Sequence, residues 1–346
     1  MLVPVLALCA VGAIVWYLHR RRCAPPRLYH QHTREHAALL RDVPQLLSEF
    51  VPTPWLALHL LQTLVSNAWR SPPSLSFVRE TIHGEDGELL HLDWARCTSP
   101  LQEEHSHVTL REALAGQHPE SSLAQEDSPI VLVLHGISGG SHEVNIQWFV
   151  KVMARDGFRV CVVNRRGCAP GAPPLRRGKF YLYGDTCDFA CVVRHVVRKY
   201  LSRPSGRAPP LLAAGFSAGS NVLVRYLGEC GDSCPIDAAV SVCNGFDLAR
   251  VATSLKQSTL GRLGLDAYMA RVMRQVSYER HASARRCAVE NKELDRTEML
   301  KIQSFIDYDE QYTRRVHGYD SVHDMYADNS CIEHLRHVRV PLLLLG

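Results

Sequence analysis

The tightest constraint on this chain is where Gly215-Phe216-Ser217-Ala218-Gly219 falls. The pentapeptide follows the apolar run Leu211 to Ala214 and opens a stretch with helical spacing through Asn221, Val222, Leu223 and Tyr226. In that setting the small residues on either side let a strand turn sharply into a helix. The turn pushes the serine hydroxyl out above the sheet and sets it at a helix N-terminus, where the backbone dipole favours negative charge. A helix-initiating serine between packing glycines is the alternative, and the strand-to-helix context argues for the reactive reading.

The surrounding pattern predicts an α/β fold. Short apolar runs at Pro129–His135, Phe158–Asn164, Leu211–Gly215, Ile236–Cys243 and Val340–Leu345 alternate with helix-like stretches near 142–156, 185–201 and 218–228. Continuous Val/Leu/Ala strands joined by helices indicate a mostly parallel sheet covered on both faces. Phe77–Ile82 and Leu89–Trp94, either side of Gly84-Glu85-Asp86-Gly87, predict a hairpin. The expected organisation is a membrane anchor with its basic flank at 1–22, a helical segment at 23–75, and a core at 76–246. Within the core, 98–128 is too acidic and polar to order itself. Residues 247–335 form a helical insertion that predicts a lid, because it parts two strands by more than a crossover needs. Residues 336–346 return to the sheet.

A second chemical element, His135-Gly136-Ile137-Ser138-Gly139-Gly140, follows the first strand of the parallel set. Acyl transfer develops an oxyanion, and a glycine-rich loop here supplies one backbone donor while the residue after the nucleophile supplies the other. Ile137 and Ala218 are the expected donors. His135, Gly136, Gly215 and Gly219 are the residues that shape the turns. Asp247, just past a strand, is a candidate acid, with helix N-capping as its alternative. Arg165 and Arg166 are read as a solvated turn, with binding of an anionic head group as the alternative. No internal histidine stands out as a base.

Composition narrows the partners. A formal charge of +4 in 346 residues, with scattered basic side chains, leaves no nucleic-acid footprint. The 12 cysteines include no C-x-x-C pair, so neither zinc nor another metal is expected, and their scatter suits a reducing compartment. No cofactor is implied.

From Met1 to Leu18 no side chain is charged, Trp16 and Tyr17 stand near the end, and His19-Arg20-Arg21-Arg22 follow. That layout predicts a single membrane-spanning helix with everything after it in the cytosol. A cleaved signal peptide and a buried helix are the alternatives.

Several segments together resemble the YheT-type α/β-hydrolases, AB hydrolase family 4, whose members include membrane-anchored abhydrolase-domain proteins. The matching pieces are Pro52-Thr53-Pro54-Trp55-Leu56 with Leu61-Gln62-Thr63; Asp86-Gly87 leading to Leu92-Asp93-Trp94; His135 to Gly140; Asn164-Arg165-Arg166-Gly167; Gly184-Asp185-Thr186 with Asp188; the turn at Ser217; and Phe305 to Thr313 with His317-Gly318-Tyr319. The chain departs from the family in having Leu60 directly before Leu61-Gln62-Thr63, with His59 one place early. The resemblance implies an α/β-hydrolase fold and a serine hydrolase acting on lipid-like esters at a membrane, as acylglycerol lipase, carboxylesterase or phospholipase. It also implies that the triad acid follows the strand at 340–345 and that the histidine comes later still. The expectation is therefore that this chain stops short of the last strand and helix and lacks both triad partners. The competing class of function is a membrane-tethered interaction protein on the same fold, without catalysis.

Overall fold

The computed structural model describes residues 12–13, 16–17, 20, 23, 25–51, 70–96, 127–176, 179–202, 208–259, 261–280 and 296–346. The chain divides into two compact units, Met1–Ser71 and Pro72–Gly346.

In the first unit, helix α1 (Arg34–Asp42) starts where the Thr33 hydroxyl accepts the His36 N–H at 3.2 Å. The chain then turns through a 3₁₀ segment, Pro44–Leu47. Among the described residues no helix is long and apolar enough to cross a membrane. The expectation of a single-pass protein with a cytosolic catalytic domain is corrected accordingly. The nine residues of α1 span about 14 Å, against a hydrocarbon core of about 30 Å. Of the expected anchor, only residues 12–13, 16–17 and 20 are described. The helix expected at Leu56 to Val65, and residues 98–126 of the acidic stretch, lie outside the described residues.

The second unit is built on strands β1 (Ser76–His83), β2 (Leu89–Arg96), β3 (Ile130–Leu134), β4 (Arg159–Asn164), β5 (Leu211–Phe216), β6 (Ala238–Val242) and β7 (Leu342–Leu345). Their order in the sheet is β1-β2-β4-β3-β5-β6-β7. β1 and β2 form the antiparallel hairpin, β2 joins β4 antiparallel, and every later pairing is parallel.

Strand β3 is buried along its whole length because both faces are covered. Ile130, Leu132 and Leu134 enter one apolar layer with Phe189 and Val193 of α3 (Cys187–Val196) and Leu223 and Leu227 of α4 (Ala218–Cys230). Val131 and Val133 enter the opposite layer with Ile146 and Val150 of α2 (Val144–Arg155). The two-residue period of the strand sorts its side chains between the layers. In register, Leu134 pairs with both Val163 and Gly215. The turns after β3, β4 and β5 therefore emerge side by side at the carboxyl ends of the strands, where ligands of open α/β sheets bind.

The insertion after β6 carries α5 (Leu248–Gln257), α6 (Asp266–Arg274), several short helices and α7 (Val322–Asn329). It has an apolar core of its own, in which Tyr308, Tyr312 and Met325 pack with Phe180, Tyr181 and Tyr183 from the segment before α3. Asp309 sits fully buried there and accepts hydrogen bonds from Tyr183 (2.6 Å), Tyr326 (2.5 Å) and Thr313 (2.6 Å). Burial lifts its carboxyl to about 6 in spite of those three donors.

Candidate active site

Ser217 occupies the corner between β5 and α4 with φ 52° and ψ −119°. A side chain rarely adopts that backbone region, and holding one there costs on the order of 1–3 kcal/mol. The corner is fastened on both sides. The Ser217 N–H donates to the Val242 carbonyl of β6 at 2.8 Å, and the Ser217 carbonyl accepts the Ser220 N–H at 2.9 Å. Its residue is exposed, and its hydroxyl makes no hydrogen bond among the described residues.

The two flanking glycines are required by close approach. A β-carbon on Gly215 would lie 2.7 Å from Cα of Ser220, and one on Gly219 would lie 2.5 Å from the carbonyl oxygens of Leu134 and His135. Without side chains at these places α4 can start directly against the end of β3. The loop after β3 is thereby brought to the corner: a β-carbon on Gly136 would stand 3.5 Å from Cβ of Ser217 and 4.0 Å from its Oγ.

His135 shapes that loop. It is fully buried; Nε2 accepts the Arg165 N–H at 3.0 Å, which assigns the proton to Nδ1 and makes it the donor to the Gly136 carbonyl at 2.8 Å. Burial pushes its pKa down to about 3, so the ring is neutral. The Gly136 carbonyl and the Ile137 N–H belong to one planar peptide and point in opposite directions. Pinning the first therefore aims the second. Neither the Ile137 nor the Ala218 N–H finds a hydrogen-bond partner among the described residues, and Ala218, the first residue of α4, has no intrahelical carbonyl to reach. The loop's far limb is held by Asn164, whose Oδ1 accepts the Ser141 N–H at 2.9 Å, and by Asp93, which accepts from Ser141 Oγ at 2.5 Å and from Asn164 Nδ2 at 2.8 Å.

The other candidates have different partners. Asp247 caps α5: its carboxylate accepts the Arg250 N–H at 3.0 Å and pairs with the Arg250 guanidinium at 3.2 Å. Arg165 and Arg166 correct the expectation of a solvated turn, for both are buried. The Arg165 guanidinium lies 3.7 Å from the Tyr181 ring centroid and donates to the Leu182 carbonyl. Arg166 is clamped between Asp188 (2.5 Å) and Asp86 (2.8 Å). Burial alone would lower that guanidinium's pKa, but the two carboxylates raise it above its ordinary value. Arg166 is thus committed to its two carboxylates, while Nη1 of Arg165 is buried without a hydrogen-bond partner among the described residues. His195 is paired with Glu80 at 2.7 Å, and His317 is hydrogen-bonded to the Phe180 carbonyl at 3.1 Å.

Four residues that do much to hold the site escape a reading of the sequence. The Ser220 hydroxyl donates to the Gly215 carbonyl at 2.6 Å and accepts the Val242 N–H at 3.0 Å. Asn221 reaches the Tyr183 and Asn329 carbonyls and accepts the Cys331 N–H. Tyr181 accepts the Ser138 N–H at 2.8 Å. Glu143 is a helix N-cap residue whose Oε2 is buried with no partner. For Ser220 and Asn221 the available signal was two polar residues at inward positions of an otherwise apolar helix.

Comparison with known proteins agrees with this fold. Residues 129–283 match the family model described as alpha/beta hydrolase fold. An embryogenesis-associated protein, EMB8, of Picea glauca is 30% identical over 292 residues, covering 84% of this chain and 58% of that protein. Phospholipase ABHD3 of Homo sapiens is 27% identical over 304 residues, covering 88% of this chain and 66% of that protein. Monoacylglycerol lipase ABHD2 of Mus musculus is 27% identical over 357 residues, with coverages of 98% and 76%. The chain thus spans 58% of the length of the spruce protein and 66% of that of the human phospholipase. The sheet order, the strand-to-helix corner at Ser217 and these matches together make the chain a protein of α/β-hydrolase fold, homologous to ABHD2 and ABHD3.

Proposed function

We propose that this protein is a serine hydrolase that cleaves carboxylic esters of lipid-like substrates through an acyl-enzyme on Ser217. The observation that carries the reading is the strained, exposed corner at Ser217, set beside a loop whose Ile137 amide is aimed by His135. Oγ of Ser217 adds to the acyl carbonyl, its proton passes to a base, and the carbonyl oxygen takes up the negative charge between the Ile137 and Ala218 N–H groups. Collapse expels the alcohol, which takes a proton. Water then adds to the acyl-enzyme in the same way and releases the acid. Acylglycerols, phospholipids and short-chain esters are the substrate classes, in keeping with the lipase and phospholipase named among the relatives. The helical insertion with its own apolar core is read as a lid over the acyl chain.

The base and its orienting acid are assigned to none of the described side chains. Both nitrogens of His135 are engaged, His195 and His317 are held elsewhere, and Asp247 is a helix cap. Substrate class is tested by competition. Preincubation with a monoacylglycerol, a phosphatidylcholine or a short-chain ester should slow labelling of Ser217 by a fluorophosphonate probe, while a fatty amide or a phosphate monoester should not. Equal indifference to all three esters would contradict the proposed substrates.

A further inference from the structure

We propose that Tyr181 is a positioning residue for the loop that holds the oxyanion, and that it ties this loop to the helical insertion. The inference rests on the reading of Ser217 as nucleophile and Ile137 as donor. Ser138, the residue after that donor, has φ 53°. A non-glycine residue keeps such a conformation only where its surroundings enforce it.

Tyr181 supplies the enforcement. Its phenolic oxygen accepts the Ser138 N–H at 2.8 Å. This fixes the peptide that follows Ile137, while His135 fixes the peptide that precedes it by donating to the Gly136 carbonyl. With both its peptides anchored, Ile137 can rotate at neither φ nor ψ, and its N–H keeps one direction. Without Tyr181 the peptide after Ile137 keeps only a contact internal to the loop, from the Ser138 hydroxyl to the Ile137 carbonyl at 2.7 Å.

The two anchors answer to different parts of the molecule. His135 belongs to the sheet, through β3 and the Arg165 N–H after β4. Tyr181, from the segment before α3, packs against the insertion: it is buried in the apolar cluster that the insertion's helices build, and its hydroxyl reaches Sδ of Met273 on α6 at 4.0 Å. Ile137 packs against the same cluster. The Arg165 guanidinium lies over the tyrosine ring, 3.7 Å from its centroid. A shift of α6 therefore reaches the donor loop through the Tyr181 hydroxyl as well as through the packing of Ile137, so the packing of the insertion sets the readiness of the hole.

Tyr181→Phe tests this, since it removes one oxygen and keeps the ring. Three quantities are measured on the 346-residue chain: the saturating rate and half-saturation constant of fluorophosphonate labelling, hydrogen exchange of the peptide containing Ser138, and the melting temperature. The saturating rate should fall about 10- to 100-fold with the half-saturation constant changed by less than about twofold. Exchange at Ser138 should quicken about tenfold or more, and melting should move little. Exchange and saturating rate both at wild-type values would overturn the proposal, as would a lowered melting temperature with neither of them changed. Labelling that survives Ser217→Ala would remove the nucleophile reading instead, and the exchange measurement would still decide whether Tyr181 holds the loop.

Discussion

Gly219 and His135 meet so closely that a β-carbon on the glycine would lie 2.5 Å from the histidine's carbonyl oxygen. The start of α4 is thereby pressed against the end of β3, and the corner at Ser217 and the loop after β3 become neighbours. Gly219→Ala should push them apart at a cost of about 2 kcal/mol or more. Urea unfolding measures the stability loss. An alanine variant as stable as the parent would mean that the contact relaxes without strain.

Asp309 should make stability fall as pH rises through the mildly acidic range. Its folded pKa of about 6 lies above the ordinary value of 3.8, so between those limits the native state holds more protons than the unfolded one. The contribution is complete below about 4 and gone above about 6. It amounts to at most about 3 kcal/mol. Asp309→Asn should flatten this part of the stability profile, as measured by denaturant unfolding at pH 4, 5, 6 and 7. An unchanged slope would show that another group is responsible.

Glu143 should place a pH dependence on the oxyanion loop. Its carboxyl group lies against the loop, where a β-carbon on Gly139 would be 2.1 Å from Oε2, and that oxygen is buried without a partner. Burial raises the group to about 7, against the opposing hydrogen bond from the Gly140 backbone. Below pH 7 the acid is neutral; above it a negative charge stands against Gly139 and Gly140 of the loop, and on the proposed mechanism it opposes the charge that develops on the acyl oxygen. The labelling rate of Glu143→Gln relative to wild type should therefore climb about three- to tenfold between pH 6 and pH 8. A ratio that stays flat would contradict the assignment.

Much of the fold was legible because parallel strands buried on both faces leave unbroken apolar runs, as Ile130–Leu134 does, and because the serine pentapeptide marks the end of one of them. The site was legible only in part. Arg165 and Arg166 looked like a solvated turn, since nothing local reveals that Asp86 and Asp188, distant in sequence, converge on Arg166. Tyr181 was invisible for the same reason: its partner Ser138 lies 43 positions away. The first 18 residues carry the composition of a membrane span, while among the described residues no helix is long and apolar enough to cross a membrane. Asp247 was ambiguous because an N-cap and a catalytic acid both favour a carboxylate after a strand, and its contacts with Arg250 give it the capping geometry.

The most direct measurement is the site of covalent capture by a fluorophosphonate, read by mass spectrometry of digested protein, for wild type and Ser217→Ala side by side. The adduct should sit on Ser217, form slowly because no described imidazole contacts that hydroxyl, and vanish in the alanine variant. An adduct on another residue, or one that persists after the serine is gone, would contradict the nucleophile assignment; no adduct under forcing conditions would favour a binding role on this fold instead.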